Sequence, residues 1–106
     1  NIPMPPVKYL LGEKEVLLAY RIFEPANRNA IVANVILAAT ETNFFAVLAS
    51  TLSSIHPFRV ILMDVRGHGY SGGKRGHTPS VKMLYRDLGQ VVRHVRGFST
   101  KPIVLA

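Results

Sequence analysis

The sequence of 106 residues contains no cysteine. This absence excludes disulfide bonds and thiolate catalysis, and together with the lack of a visible signal peptide it favours a cytoplasmic location. A long hydrophobic run is also missing. The longest, AIVANVILAA at residues 30–39, has about half the length of a membrane span and is interrupted by Asn34. The length and composition predict one globular domain.

Acidic residues are scarce as well: six Asp and Glu stand against 13 Lys and Arg, for a net charge of +7. The excess lies in residues 59–106, where Asp64 and Asp87 are the only acidic residues. A basic half of this kind meets an anionic partner or forms a solvated surface. We expect no nucleic-acid partner, because no aromatic residues alternate with the cations. Contact with an anionic membrane stays open, and the cations concerned are Lys82, Arg86, Arg93 and Arg96.

What the sequence does contain is an alternation of apolar strands and amphipathic helices. Four segments have the continuous apolar character of strands: EVLLAYRIFEP, AIVANVILAA, FRVILMD and the final KPIVLA. TETNFFAVLASTLSSI and VKMLYRDLGQVVRHVR are predicted helices, and NIPMPPV is a proline-rich lead. This order predicts an α/β fold with a mainly parallel sheet flanked by helices.

Each predicted helix has an apolar face and candidate caps. Thr40 or Thr42 could cap the first helix, and Thr78 or Ser80 the second, which Gly97 is expected to end. The face of the first helix comprises Phe44, Phe45, Leu48, Leu52 and Ile55. The face of the second comprises Val81, Leu84, Tyr85, Leu88, Val91, Val92 and Val95.

Between these helices lies a glycine-rich loop, DVRGHGYSGGKRGHTPS, at residues 64–80. Residues 67–72 match G-x-G-x-x-G, but the helix does not open inside the motif and no acid ends the next strand, so a dinucleotide site is a third choice. A P-loop is excluded because Lys74 is not followed by Ser or Thr. Asp64, His68 and His77 lack the spacing of a metal site. We therefore expect no metal and no cofactor.

The segment RVILMDVRGHGYSGGKRGHTPS, followed by a helix with an early acid at Asp87, resembles one branch of the α/β hydrolases. This branch comprises the monoacylglycerol lipases, lysophospholipases and serine aminopeptidase-like hydrolases, and it carries D-x-R-G-H-G-x-S-G-G-x-R-G after the fourth strand. The resemblance is close over residues 59–88 and extends in general order over residues 16–106.

In this branch the glycine-rich loop lies near the catalytic face but supplies neither nucleophile nor base. The resemblance therefore implies that the loop braces the site. Asp64 can accept backbone N–H bonds from the turn, and Arg66 can either bond carbonyls or pair with Asp64. The bracing residues are Asp64, Arg66, Gly67, His68 and Gly69.

The resemblance also implies a serine nucleophile in G-x-S-x-G, followed by an acid and a histidine. No serine of the chain has this flanking, and KPIVLA resembles the strand before the nucleophile. We therefore expect residues 1–106 to be the N-terminal portion of a single hydrolase domain, with the nucleophile just after Ala106. The implied activity of the complete protein is hydrolysis of a monoacylglycerol, a lysophospholipid or a similar small ester. The chain alone, without the remainder of the domain, is expected to be inactive.

Two further positions are interpreted through the resemblance. The family often has His-Gly after its third strand, where Ala38 and Ala39 stand here, so the backbone N–H groups of Ala39 and Thr40 are candidates for the oxyanion hole. The same residues could equally be a strand end and a helix cap. Phe44 and Phe45 could line an acyl pocket or belong to the core. The alternative function is a non-enzymatic hydrolase-like module that binds a partner or an anionic surface through its basic half.

Overall fold

The computed structural model describes residues 4–106. Five strands form one sheet in the order β1-β2-β4-β3-β5, and two α-helices accompany it. The elements are β1 (Lys8–Leu11), β2 (Leu17–Phe23), β3 (Ala33–Ala39), α1 (Thr42–Ile55), β4 (Phe58–Asp64), α2 (Val81–Arg96) and β5 (Ile103–Leu105). The predicted α/β class, with helices beside a sheet, is confirmed.

The sheet is mixed. β3 runs parallel to β4 and to β5, whereas β2 is antiparallel to β4 and β1 is antiparallel to β2. The parallel part therefore comprises the three strands whose connections contain the helices, as expected for crossover connections. β1 was not predicted: the proline-rich lead stops short of Lys8, and the chain becomes extended there and pairs with β2. Residues 1–3 of that lead lie outside the described residues.

The hydrophobic core has two layers, one on each face of the sheet. Side chains of β3 and β4 alternate between them, so that Val35 and Leu37 contact the α1 layer whereas Ile36 belongs to the α2 layer. Leu62 and Met63 of β4 alternate in the same way. These strands are buried on both faces, which is why they are almost continuously apolar. Each such side chain contributes about 1.5–3 kcal/mol by burial.

Helix α1 buries only part of the predicted face: Phe45 and Leu52 pack on the core layer. Its buried residues are the small ones, Ala46, Ala49 and Ser53, while Phe44 and Ile55 are 66% and 68% exposed. The small side chains let the helix lie close to the sheet, and the outer large residues of the predicted face lie beside this buried stripe. The N-cap of α1 is neither of the predicted threonines. It is Glu41, whose side chain accepts the N–H groups of residues 43 and 44.

Helix α2 packs much as predicted, with Val91 and Val95 fully buried against the sheet. Two predicted members of its apolar face, Val81 and Tyr85, are instead 68% and 69% exposed. Ser80 is the N-cap, and its hydroxyl accepts the N–H of the residue three positions later at 3.1 Å. The helix ends at Gly97, as expected. No helix in residues 4–106 combines the length and apolar composition that crossing a bilayer requires.

Candidate functional site

The carboxyl ends of β3, β4 and β5 meet at one end of the sheet, which we call the carboxyl end. Ala39 is in register with Asp64, and the N–H of Val65 donates to the carbonyl of Ala39 at 2.8 Å. β5 is in register with β3 up to Leu105, which lies beside Ile36. Ligand sites of open parallel sheets form at this end, because the loops that follow the strands meet there.

Asp64 joins the two loops that leave β3 and β4. Its buried carboxylate accepts the hydroxyl of Thr42 at 2.7 Å and the backbone N–H of Tyr70 at 3.0 Å. Its carbonyl accepts the hydroxyl of Ser71 at 2.6 Å, and that hydroxyl accepts the N–H of Ala19 at 2.8 Å. The start of α1, the glycine-rich loop and β2 are thereby held in one hydrogen-bonded arrangement.

Two glycines of the loop occupy positions that no other residue fits. Gly67 has a φ of +84°, and a Cβ there would lie 2.5 Å from the carbonyl oxygen of Lys74. Gly69 has a φ of +53°, and a Cβ there would lie 2.4 Å from a carboxylate oxygen of Asp64. These glycines therefore let the loop fold tightly against its own backbone and against the buried carboxylate.

Arg66 does not pair with Asp64. Its guanidinium donates to both carboxylate oxygens of Asp87, at 2.9 and 2.8 Å, and to the carbonyl of Glu13 at 2.7 Å. Asp87 is 1% exposed and also accepts the N–H of Glu13 at 3.1 Å. The hydrogen bond to Asp87 raises the pKa of the Arg66 guanidinium. Of the two predicted roles of Arg66, carbonyl bonding is therefore observed and the Asp64 pair is not.

Asp87 is the residue that sequence reasoning did not assign to the site. It lies in α2, on the face that also carries Val91 and Val95, so that its carboxylate points toward the core rather than to solvent. The one available signal was its place in the resemblance, as the acid that follows the glycine-rich loop.

The histidines of the loop do not form a metal centre. Half-buried His68 lies with Nδ1 3.0 Å from the carbonyl oxygen of Arg66, whereas His77 is exposed. Within residues 4–106 no group of three or more His, Asp or Glu side chains is close enough to hold a metal ion. His68 is therefore tied to the backbone of the loop itself.

The candidate oxyanion residues lie at the carboxyl end, between β3 and α1. Ala39 is buried, and Thr40 is exposed in the bend that precedes the helix. Of the two candidate pocket residues, Phe45 packs on the core layer under α1, while Phe44 is exposed and meets the Phe45 ring edge-on at 5.3 Å between centroids.

The fold has many solved counterparts. A serine hydrolase homologue from Coxiella burnetii matches with a TM-score of 0.74 at 19% identity, over 99% of this chain and 52% of that chain. Est1E of Butyrivibrio proteoclasticus, solved with bound ferulic acid, matches with a TM-score of 0.75 at 21% identity, over 93% of this chain and 41% of that one. A monoglyceride lipase variant from Saccharomyces cerevisiae, solved with a substrate analogue, matches with a TM-score of 0.74 at 18% identity, over 99% and 35%. The fold is that of the α/β hydrolases.

The family model described as serine aminopeptidase, S33, matches residues 29–106. This chain belongs to that family. No curated protein sequence matches it. The chain spans between 35% and 52% of the length of these three solved proteins.

Proposed function

We propose that the complete protein is a serine hydrolase of small esters, and that its nucleophile follows β5. The observation that carries this proposal is the meeting of three parallel strand ends beside the candidate oxyanion residues, in a chain of the serine aminopeptidase family. In this proposal residues 1–106 are the N-terminal portion of one hydrolase domain. They contribute the loop of residues 39–42, which we call the oxyanion loop, and its support.

The register of β5 supports this position for the nucleophile. Leu105 lies beside Ile36, three residues before Ala39, so an equal extension of β5 would bring the chain level with Ala39. A nucleophile on a turn just after Ala106 would then stand next to the Ala39 and Thr40 backbone. That is the neighbourhood in which an N–H donor can bind a developing oxyanion.

The proposed reaction proceeds through an acyl-enzyme. The serine oxygen attacks the ester carbonyl as a histidine accepts its proton, and the negative charge moves to the carbonyl oxygen, where backbone N–H groups of Ala39 or Thr40 stabilise it. The alcohol leaves with that proton, and water then releases the acid and restores the serine. A backbone donor needs no particular side chain, so Ala38 and Ala39 are compatible with this role in place of His-Gly.

Asp64 is the positioning residue of this proposal. Its carboxylate bonds the hydroxyl of Thr42 in the first turn of α1, only two residues after Thr40. A donor held in place before the reaction stabilises the oxyanion better than one that must first be ordered. The glycine-rich loop thus acts on the reaction through the oxyanion loop and without touching the substrate.

We propose a monoacylglycerol, a lysophospholipid or a similar small ester as the substrate. The fold likeness to a monoglyceride lipase and to Est1E supports ester hydrolysis in general, and the exposed ring of Phe44 offers an apolar contact beside the oxyanion loop. Phe45 would support that ring from the core.

Hydrolysis by the protein in its natural length tests this function. We expect release of acid from a medium-chain monoacylglycerol and from a nitrophenyl ester of the same acyl length. Thr42→Val removes the hydrogen bond to Asp64. We expect it to lower kcat by roughly tenfold and to raise KM by less. Thr51→Val, which removes an exposed hydroxyl elsewhere in α1, is the matched control. It should retain the activity of the parent protein toward both esters. Absence of hydrolysis of both esters would contradict the proposal.

The second candidate function is a non-enzymatic module that binds an anionic surface. The exposed cations of α2 favour it, among them Lys82 and Arg93. Co-sedimentation with vesicles that contain phosphatidylserine separates the two functions. Binding without hydrolysis, abolished by Lys82→Gln/Arg93→Gln, would support the module.

A further inference from the structure

A cavity of about 610 Å³ opens on the α2 side of the sheet, along β2. Arg59, near the start of β4, contributes to it, whereas Asp64 ends the same strand at the carboxyl end. The lining reaches along β2 as far as Tyr20, which is in register with Met63. It lies on the α2 face, whereas the carboxylate of Asp64 points to the other face and bonds Thr42 of α1. The volume is in the range of small-molecule sites. This cavity is therefore distinct from the proposed hydrolytic site.

The charge of the cavity is positive. Lys8, Arg28 and Arg59 line it against the single carboxylate of Glu24, an excess of two positive charges with His94 counted as neutral. Glu24 is already bonded, because it accepts the Nε groups of Arg59 at 2.7 Å and of Arg28 at 3.0 Å. An added anion would thus meet guanidinium and ammonium groups without an opposing free carboxylate among these lining residues.

One wall of the cavity is aromatic and held in place. The guanidinium carbon of Arg59 lies 5.2 Å from the ring centroid of Phe98, whose ring meets His94 edge-on at 5.9 Å. Nε2 of His94 lies 2.7 Å from the hydroxyl of Tyr20, which is only 5% exposed. Such a wall offers a ring face to an apolar group. Further apolar lining comes from Pro5, Pro6 and Ile22.

We propose that this cavity is a second binding site, for a small carboxylate that carries an apolar or aromatic group. The carboxylate binds the cations at the rim, and the apolar group packs against Phe98 and Ile22. A neutral molecule of the same shape cannot pair with the cations, and a simple inorganic anion cannot pack against the apolar wall. Both should therefore bind more weakly. The proposal is independent of the hydrolytic function.

Site-resolved NMR on the protein in its natural length tests this directly. Phenylacetate is titrated into ¹⁵N-labelled protein, with phenylacetamide as the neutral analogue and inorganic phosphate as the anion without an apolar group. We expect shifts at the amides of Arg59, His94 and Phe98, with affinity for the two analogues at least about tenfold weaker. Equal binding of either analogue, shifts confined to the Ala39–Thr42 loop, or no shifts would overturn the proposal.

A charge-matched pair of variants separates the rim from the rest of the basic surface. Lys8→Gln/Arg28→Gln removes two rim charges, and Arg28 is 75% exposed, so the fold does not depend on it. Lys82→Gln/Lys101→Gln removes two exposed charges outside the cavity. We expect phenylacetate to bind about tenfold more weakly to the first variant and within twofold of the parent to the second. Equal weakening in both would show non-specific attraction and overturn the site.

Discussion

At the scale of single residues, the buried carboxylate of Asp87 joins three segments that are far apart in the sequence. It receives the guanidinium of Arg66 from the glycine-rich loop and the N–H of Glu13 from the turn before β2. Arg66 is itself 14% exposed in its side chain. A pair this deeply placed is costly to break from one side, because the remaining charge stays buried without its partner.

Asp87→Asn is expected to lower the free energy of unfolding by about 3 kcal/mol, because it leaves the Arg66 charge in place and removes the charge that compensates it. Urea denaturation of the natural-length protein measures the change. Glu15→Gln is the control: it removes an exposed carboxylate from the same neighbourhood and should change stability by less than about 0.5 kcal/mol. A loss for Asp87→Asn as small as that of the control would show that the pair does not hold these segments together.

Gly69→Ala is expected to destabilise more than Gly76→Ala. Both residues have a positive φ, +53° and +75°, so both variants carry backbone strain of about 1 kcal/mol. Only at Gly69 would the added Cβ meet a neighbour, a carboxylate oxygen of Asp64 at 2.4 Å, whereas nothing lies within 4 Å at Gly76. Thermal unfolding of the two variants side by side measures the difference, and equal midpoints would contradict the packing of Asp64 against this turn.

At the scale of elements, the two helices reach the sheet in different ways. α1 approaches through Ala46 and Ala49, whereas α2 inserts larger residues such as Val91 and Val95. Helices in proteins gain most of their stability from packing of their apolar face, so each of these depends on the layer that it buries. An exposed position on such a helix therefore reports helix propensity without a packing contribution.

Gly89→Ala should stabilise the protein by about 0.5–1 kcal/mol. Gly89 lies in the middle of α2, and a Cβ there would meet nothing within 4 Å, so only the lower entropy of the unfolded chain and the better helix propensity count. Gly97→Ala, at the end of the same helix, places its Cβ 3.1 Å from the carbonyl oxygen of His94 and should bring no such gain. Denaturant midpoints check both, and destabilisation by Gly89→Ala would contradict the exposed position of this residue.

The elements were predictable where one pattern decided them. β3 and β4 are apolar on both faces, and α2 has a stripe at the helical period, so both types follow from local sequence. α1 is a helix as predicted, but only Phe45 and Leu52 of its predicted face pack on the core, because burial there also depends on how closely the helix can approach the sheet. The residues that contact the sheet most closely are the small ones, Ala46 and Ala49, whereas a large residue such as Phe44 stays exposed.

The candidate site was predictable only in part, because some of its contacts join residues that are far apart in the sequence. The glycine-rich pattern located the loop, and the end of β4 at Asp64 located it at the carboxyl end of the sheet. The partner of Arg66 was not predictable from spacing, since Asp64 is two residues away in sequence and Asp87 is brought near only by the packing of α2. The turn at Glu13 adds a third participant that no local pattern indicates.

At the scale of the whole molecule, this chain is only part of the fold that it matches. It spans between 35% and 52% of three solved α/β hydrolases. Within the described residues, β5 pairs on one side only, with β3, and Val104 and Leu105 are 48% and 55% exposed. An apolar strand with one unpaired side is a surface on which further strands can add.

The polypeptide of residues 1–106 alone is expected to self-associate through β5. Val104→Lys places a charge on that strand and should shift the population toward monomer in sedimentation velocity. Val32→Lys makes the same substitution at an exposed valine outside β5 and should leave the association unchanged. A polypeptide that is monomeric at all concentrations, or an equal effect of both variants, would contradict the role of this strand.

The central claim, a serine nucleophile just after β5, is tested most directly by labelling. The natural-length protein is treated with a fluorophosphonate probe, digested and sequenced by mass spectrometry. We predict one labelled serine, a few residues beyond Ala106. Labelling should be slowed by Thr42→Val, because in the proposed mechanism the oxyanion loop also stabilises the phosphonyl oxygen. No labelled serine, or a label on one of the serines within residues 1–106, would contradict the claim.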